Sequence, residues 1–154
     1  MTTGLEELYR DILMDHYKYP RGKKTIESAD IVNAGQNPLC GDSLTVNISL
    51  EDHKIADIGV DCTGCAICAA SSSMLTEILQ GKSLSEVKKI AEIVKKLIKG
   101  EEYQADFDLG DISALEGVRK FPVRIKCALL AWTTLIDGVD AWEKGEEAKV
   151  SSTE

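Results

Sequence analysis

Leu5, Leu8, Ile12 and His16 recur at helical spacing, with Tyr9 and Leu13 beside them, and predict a first amphipathic helix that ends before Pro20. Lys18 to Lys24 is then a turn-rich exit. The apolar run within Asp30 to Ala34, the alternation Leu44, Val46, Ile48, Leu50, and the alternation Ala56, Ile58, Val60 predict three short strands. Asp52-His53-Lys54 reads as a hairpin turn between the last two.

From Cys65 to Leu79 the small residues Ala66, Ala69, Ala70 and Ser71 to Ser73 mix with Ile67, Met74, Leu75 and Ile78, which predicts a helix packed closely on several sides and ended by Gly81. Ser83 and Glu86 form a capping-box pattern. Leu84, Val87, Ile90, Val94 and Leu97 form the stripe of the next helix, which stops at Gly100. Residues 101 to 121 are acidic and Gly-punctuated and read as an inserted loop with a short helix from Asp111 to Leu115. Pro122 suits a first helical position, and Ile125, Ala128, Leu129, Trp132, Leu135, Ile136 and Val139 give the final helix a wide apolar face. These elements predict one α+β domain over residues 1–142, a small antiparallel three-stranded sheet packed by helices. Residues 143–154 are expected to be a disordered polar tail.

A length of 154 residues suits one domain with a real core. The formal charge of -8 opposes a large basic surface, so nucleic acid and anionic membranes are poor partners. No unbroken apolar run or signal-like segment is present, and a cytoplasmic protein is expected. Five cysteines, an odd number without a secretory signal, read as thiols, ligands or core residues rather than a disulfide framework.

The chemistry lies with three of those cysteines. Asn37-Pro38-Leu39-Cys40-Gly41-Asp42 places a thiol and a carboxylate two residues apart on a bent loop. Cys65 follows Gly64 at a predicted helix start, and Cys127 lies in the first turns of the last helix. Both positions are expected to favour the thiolate through the helix dipole. An isolated cysteine is more often a buried structural residue than a ligand. Three together, with the Cys-Gly-Asp turn, reverse that balance: three thiolates and one carboxylate fill a tetrahedral shell around zinc or hold a small iron-sulfur cluster. Because a carboxylate binds a soft site more weakly than a thiolate, Asp42 suggests a ligand that incoming sulfur displaces.

Cys62 and Cys68 complete a C-x2-C-x2-C run that resembles the opening of a bacterial ferredoxin motif, but Ser72 and Ser73 stand where that motif needs Cys-Pro. Cys62 shares strand parity with Ile58 and Val60, and Cys68 the helix side of Leu75 and Leu79, so both read first as core residues; a Cys62–Cys65 redox pair is a further option. His16 reads as packed and His53 as solvated. The sequence carries no Ser-His-Asp arrangement, phosphate loop or dinucleotide fingerprint.

From about Leu5 to Trp142 the chain resembles the U-type iron-sulfur cluster assembly family, represented by the IscU and SufU proteins. The resemblance rests on LYRDILMDHYKYPR, NPLCGD, the GC before AICAASSS, and FPVRIKCALLAW. The family's three cysteines and aspartate fall on Cys40, Cys65, Cys127 and Asp42. The 101–121 insertion, and Lys126 where IscU proteins carry histidine, are similar to the SufU branch; the IscU chaperone motif LPPVK is absent from FPVRIK. The resemblance implies Zn2+ bound by Cys40, Asp42, Cys65 and Cys127, persulfide sulfur taken from a cysteine desulfurase with Cys40 as acceptor, and passage to a downstream iron-sulfur carrier or apo-protein. The alternative it implies is a scaffold that assembles and transfers a [2Fe-2S] cluster on Cys40, Cys65 and Cys127. A structural zinc module is the remaining rival. An enzymatic role would be that of a zinc-dependent sulfurtransferase without stand-alone turnover. Arg124, one turn before Cys127, reads equally as a steering group or a solvated arginine.

Overall fold

In the computed structural model, which describes residues 4–147 and 149–153, the chain runs α1 (Gly4–Lys18), β1 (Ile31–Asn37), β2 (Asp42–Glu51), β3 (Lys54–Thr63), α2 (Ala66–Leu79), α3 (Leu84–Lys99), a 3-10 helix (Gly110–Val118), α4 (Pro122–Lys144) and β4 (Ser151–Ser152). The sheet order is β3-β2-β1-β4. β2 is the antiparallel partner of both β1 and β3, with Leu44 opposite Cys62, Val46 opposite Val60 and Ile48 opposite Ile58. These alternate residues are buried under α2 and α4. At the far end, Asp52 and His53 both take positive φ, 54° and 60°, as a two-residue hairpin whose twist matches its strands demands.

The expected three-stranded antiparallel sheet is corrected by one strand. Ser151–Ser152, within the segment expected to trail off, pairs parallel with Gly35 and Gln36 and makes the sheet mixed. Side chains hold it there: Asn33 Nδ2 donates to Ser151 Oγ at 3.1 Å, that hydroxyl donates to Asp137 Oδ2 at 2.6 Å, and Thr153 Oγ1 donates to the Lys126 carbonyl at 3.0 Å. Such long-range polar ties leave no local hydrophobic pattern to read.

α2 is buried on nearly every side. Its serines permit close approach because each hydroxyl finds a partner: Ser71 Oγ donates to the Ala128 carbonyl at 2.7 Å and accepts from Trp132 Nε1 at 3.0 Å, and Ser72 Oγ donates to the Cys68 carbonyl at 2.8 Å. α3 begins with the expected Ser83–Glu86 capping box and ends at Gly100 in the left-handed region. The 101–121 segment is more than a loop. Ile112, Leu115 and Val118 recur every three residues, share one face of a 3-10 helix, and are buried in the core. α1 forms as expected, but Leu5 and Leu8 are exposed and only its later turns pack, ending with buried His16.

Among the described residues no helix is long and apolar enough to cross a membrane.

Candidate metal centre

The NPLCGD segment is a hairpin corner. Asn37 and Asp42 are the paired end residues of β1 and β2, and Pro38 to Gly41 form the turn between them. Gly41 takes φ 70°, a conformation with little cost only for glycine, and the Cys40 N–H donates to the Asn37 carbonyl at 3.2 Å. Asp42 is therefore a buried strand residue rather than an exposed turn residue, while Leu39 beside Cys40 projects, 63% exposed.

Three elements converge on this corner. Cys65 is the N-cap of α2, its sulfur accepting the Cys68 N–H. Cys127 sits in the second turn of α4, and its sulfur lies 3.2 Å from that of Cys40. Asp42 Oδ1 accepts the Cys65 N–H at 2.7 Å, with Oδ2 at 3.7 Å from the Cys65 sulfur. Donor atoms of Cys40, Asp42 and Cys127 all lie within 4.8 Å of one another; Cys65 adjoins this set through Asp42, whose Oδ2 is 3.7 Å from its sulfur, without falling inside the same mutual distance.

Asn37 is a member that sequence reasoning did not assign. It is fully buried, its Nδ2 donates to the Cys127 sulfur at 3.7 Å, and its Oδ1 has no protein partner. Its place at the head of NPLCGD was the available signal.

The expectation that helix dipoles would lower both thiols is reversed. Burial lifts Cys65 above its ordinary value of 9.0 and outweighs the N-cap bond from Cys68. Burial, and then contacts with Cys40, Asp42 and Cys65, push Cys127 far higher. Cys127 lies too deep in α4 to feel the open N–H groups of its first turn. A crowded, buried set of thiols beside a carboxylate resists further negative charge, and a dication is what relieves that resistance. Two soft sulfurs and one oxygen in mutual reach, with a third sulfur beside the oxygen, are a donor set that fits Zn2+.

The other candidates fall elsewhere. Cys62 and Cys68 are core residues, as their parity predicts, and their sulfurs touch at 3.1 Å. That contact and burial set the two thiols apart, Cys62 held below 9.0 and Cys68 raised. The Cys62–Cys65 pairing is not formed; Cys68 takes that place. His53 is exposed, its ring edge-to-face with Trp142 at 6.1 Å. Arg124 stacks on the Phe121 ring at 4.3 Å.

A Ser-His-Asp arrangement invisible in the sequence does form in space. His16 Nδ1 meets Ser73 Oγ at 2.7 Å and Nε2 meets Asp111 Oδ2 at 2.8 Å. Ser73 is buried within α2, and its hydroxyl also accepts the Arg21 N–H at 2.8 Å. This geometry ties α1, α2 and the 3-10 helix together and leaves no open nucleophile. His16, Glu77 and Asp111 are also close enough to share an ion, but both ring nitrogens of His16 are already engaged.

The family model described as the NifU-like N terminal domain matches residues 8–144. The zinc-dependent sulfurtransferase SufU of Bacillus subtilis is 41% identical over 142 residues, 92% of this chain and 96% of the relative, and the iron-sulfur cluster assembly scaffold protein IscU of Streptococcus pyogenes is 38% identical over 135 residues, 88% and 84%. A crystal structure of a putative iron-sulfur cluster assembly scaffold protein for the SUF system from Fervidobacterium islandicum superposes with a TM-score of 0.79 at 31% identity, covering 88% of this chain and 99% of that one.

Proposed function

The chain belongs to the family of NifU-like N-terminal domains, in its SufU-like branch, and on that footing we propose that it works in iron-sulfur cluster biogenesis in the cytoplasm, as a zinc-binding acceptor and relay of persulfide sulfur from a cysteine desulfurase. One observation supports the reading: donor atoms of Cys40, Asp42 and Cys127 lie within 4.8 Å of one another, Cys65 adjoins them beside Asp42, and Cys40 sits on a turn next to projecting Leu39.

Cys40, Asp42, Cys65 and Cys127 would hold Zn2+, which supplies the positive charge that lets these thiols ionise. The chain's own residues divide the remaining work. Asp42 is fixed by the Cys65 N–H and keeps α2 registered against the hairpin. The Asn37 amide holds the Cys127 sulfur. Cys40 sits on the four-residue turn that Gly41 closes, half-exposed beside protruding Leu39, and is the thiol an incoming partner reaches first. Its thiolate attacks the outer sulfur of the desulfurase persulfide; the S–S bond breaks and the desulfurase cysteine leaves as thiolate. The sulfur then passes to a downstream iron-sulfur carrier or apo-protein.

The same donors support a second reading, favoured by the scaffold relatives, in which Cys40, Cys65 and Cys127 carry a [2Fe-2S] cluster as cargo. Metal and acid-labile sulfide analysis of protein purified without oxygen separates the two. The relay predicts one zinc and no sulfide per chain, and a gain of sulfur on mixing with a cysteine desulfurase and cysteine; iron with equimolar sulfide identifies the scaffold.

A further inference from the structure

Cys62 and Cys68 lie outside the four-residue centre, and the relay makes no use of them. Two buried cysteines are ordinary in a core, but these two sulfurs touch at 3.1 Å between the end of β3 and the first turn of α2. The pair also has an outer and an inner member. Cys62, 6% exposed, lines a cavity of about 230 Å³ together with Tyr17, Arg21, Lys23, Thr63 and Gly64, whereas Cys68 is fully buried behind it. That volume is below the range of drug-sized sites and suits the persulfide end of a small thiol whose remainder stays at the open rim; Lys23 on the exposed rim suits an anion. The Cys68 N–H in turn contacts the Cys65 sulfur at 3.5 Å, so the pair also borders the metal centre.

We propose that Cys62 and Cys68 form a reducing dithiol that converts the outer sulfur of a persulfide into sulfide, with Cys62 attacking and Cys68 resolving. In the first step the Cys62 thiolate bonds to the outer sulfur of R–S–SH. The S–S bond of the donor breaks, and R–S⁻ leaves and takes up the proton that Cys62 gave up. In the second step the Cys68 thiolate attacks Sγ of Cys62, breaks the new S–S bond and expels HS⁻, which takes the Cys68 proton. One persulfide and two thiols become one thiol, one hydrogen sulfide and one disulfide. The outer sulfur is reduced by two electrons, the two cysteines supply them, and no other oxidant is needed. An external dithiol reductant returns the pair for another cycle. The persulfide has two possible sources with the same chemistry, a low-molecular-weight persulfide entering the cavity or one passed by thiol exchange from Cys40 to Cys65; only the second rests on the relay reading.

The test uses the full zinc-loaded chain, reduced and then freed of reductant, in two arms: glutathione persulfide alone, or a cysteine desulfurase with cysteine. Sulfide release and peptide mass spectrometry are read together. Sulfide released one-to-one with a Cys62–Cys68 disulfide in either arm supports the dithiol, and the arm that responds identifies the source. In that arm Cys68→Ser should release no sulfide and retain an extra sulfur on Cys62, and Cys62→Ser should do neither. Cys68→Ala, a variant of different polarity, guards against a folding fault in the serine variant. A silent desulfurase arm with no added sulfur on Cys40, beside a responding glutathione persulfide arm, would count against the relay and not against the dithiol; added sulfur on Cys40 without sulfide release would exclude only the relay as the source. Sulfide release at the wild-type level in Cys62→Ser or Cys68→Ser, or no Cys62–Cys68 linkage in either arm, overturns the proposal.

Discussion

The Asp42 carboxylate accepts the backbone N–H of Cys65 at 2.7 Å, which makes the proposed oxygen ligand also the clamp that seats a proposed sulfur ligand. The clamp requires a glycine between them. A Cβ on Gly64 would lie 2.3 Å from Asp42 Oδ1 and 2.9 Å from Asp42 Cα, so any side chain there drives the carboxylate away. Gly64→Ala is therefore expected to weaken zinc binding by about 10–100-fold, the range found when groups that orient metal ligands are lost. Competition against a chromophoric chelator measures it. Unchanged affinity in a folded Gly64→Ala protein would separate Asp42 from the metal.

Zinc removal should cost stability, because a metal held by ligands drawn from the β1–β2 corner, α2 and α4 binds the folded chain and not the unfolded one. At free zinc one hundred times the dissociation constant the linkage is worth about 2.7 kcal/mol. For a chain of this size that corresponds to a fall in melting temperature of roughly 5–10 °C on chelation. Differential scanning calorimetry with and without chelator checks it.

The pH dependence should change sign with the metal. In metal-free protein Cys65 and Cys127 are held above their ordinary value of 9.0, so as pH rises past that value the unfolded chain loses these protons first. The stability they contribute is full below about pH 9 and declines above it. In zinc-loaded protein the ligands are thiolates in the folded state, and stability is lost as pH falls and protons compete for them. Denaturation midpoints from pH 6 to 10 should slope in opposite directions for the two forms, and Cys127→Ala should flatten the metal-free alkaline decline.

Replacing His16 tests the buried tie rather than the metal centre. His16→Ala leaves Ser73 and Asp111 without their shared partner, and unmade bonds of this kind cost about 1–3 kcal/mol. Urea denaturation should register the loss while zinc stoichiometry stays at one per chain. Loss of zinc in a folded His16→Ala protein would show that the tie also shapes the centre.

Most of the helices and strands were legible because their signals are local. The Ser83–Glu86 box, the Leu84-to-Leu97 stripe and the alternation in β2 and β3 each specify an element from adjacent residues. The proximity of Cys40, Asp42 and Cys127 was legible for a different reason: thiols and a carboxylate at glycine-punctuated corners have few other uses together. What escaped depends on partners far along the chain. β4 is held by Asn33 and Asp137, the 3-10 helix by a three-residue period inside an acidic segment, and the His16 tie by Ser73 and Asp111. The thiol pKa values escaped as well, since burial rather than position on a helix decides them.

Cys40 is the proposed receiver of the sulfur. The most direct measurement is peptide mass spectrometry of the zinc-loaded chain after incubation with a cysteine desulfurase and cysteine, with desulfurase turnover followed in parallel. An added sulfur is expected on the Cys40 peptide, with stimulation of turnover that vanishes in Cys40→Ala, in which the partly exposed turn thiol is gone. Wild-type stimulation by Cys40→Ala, with the added sulfur on another cysteine, would contradict that role.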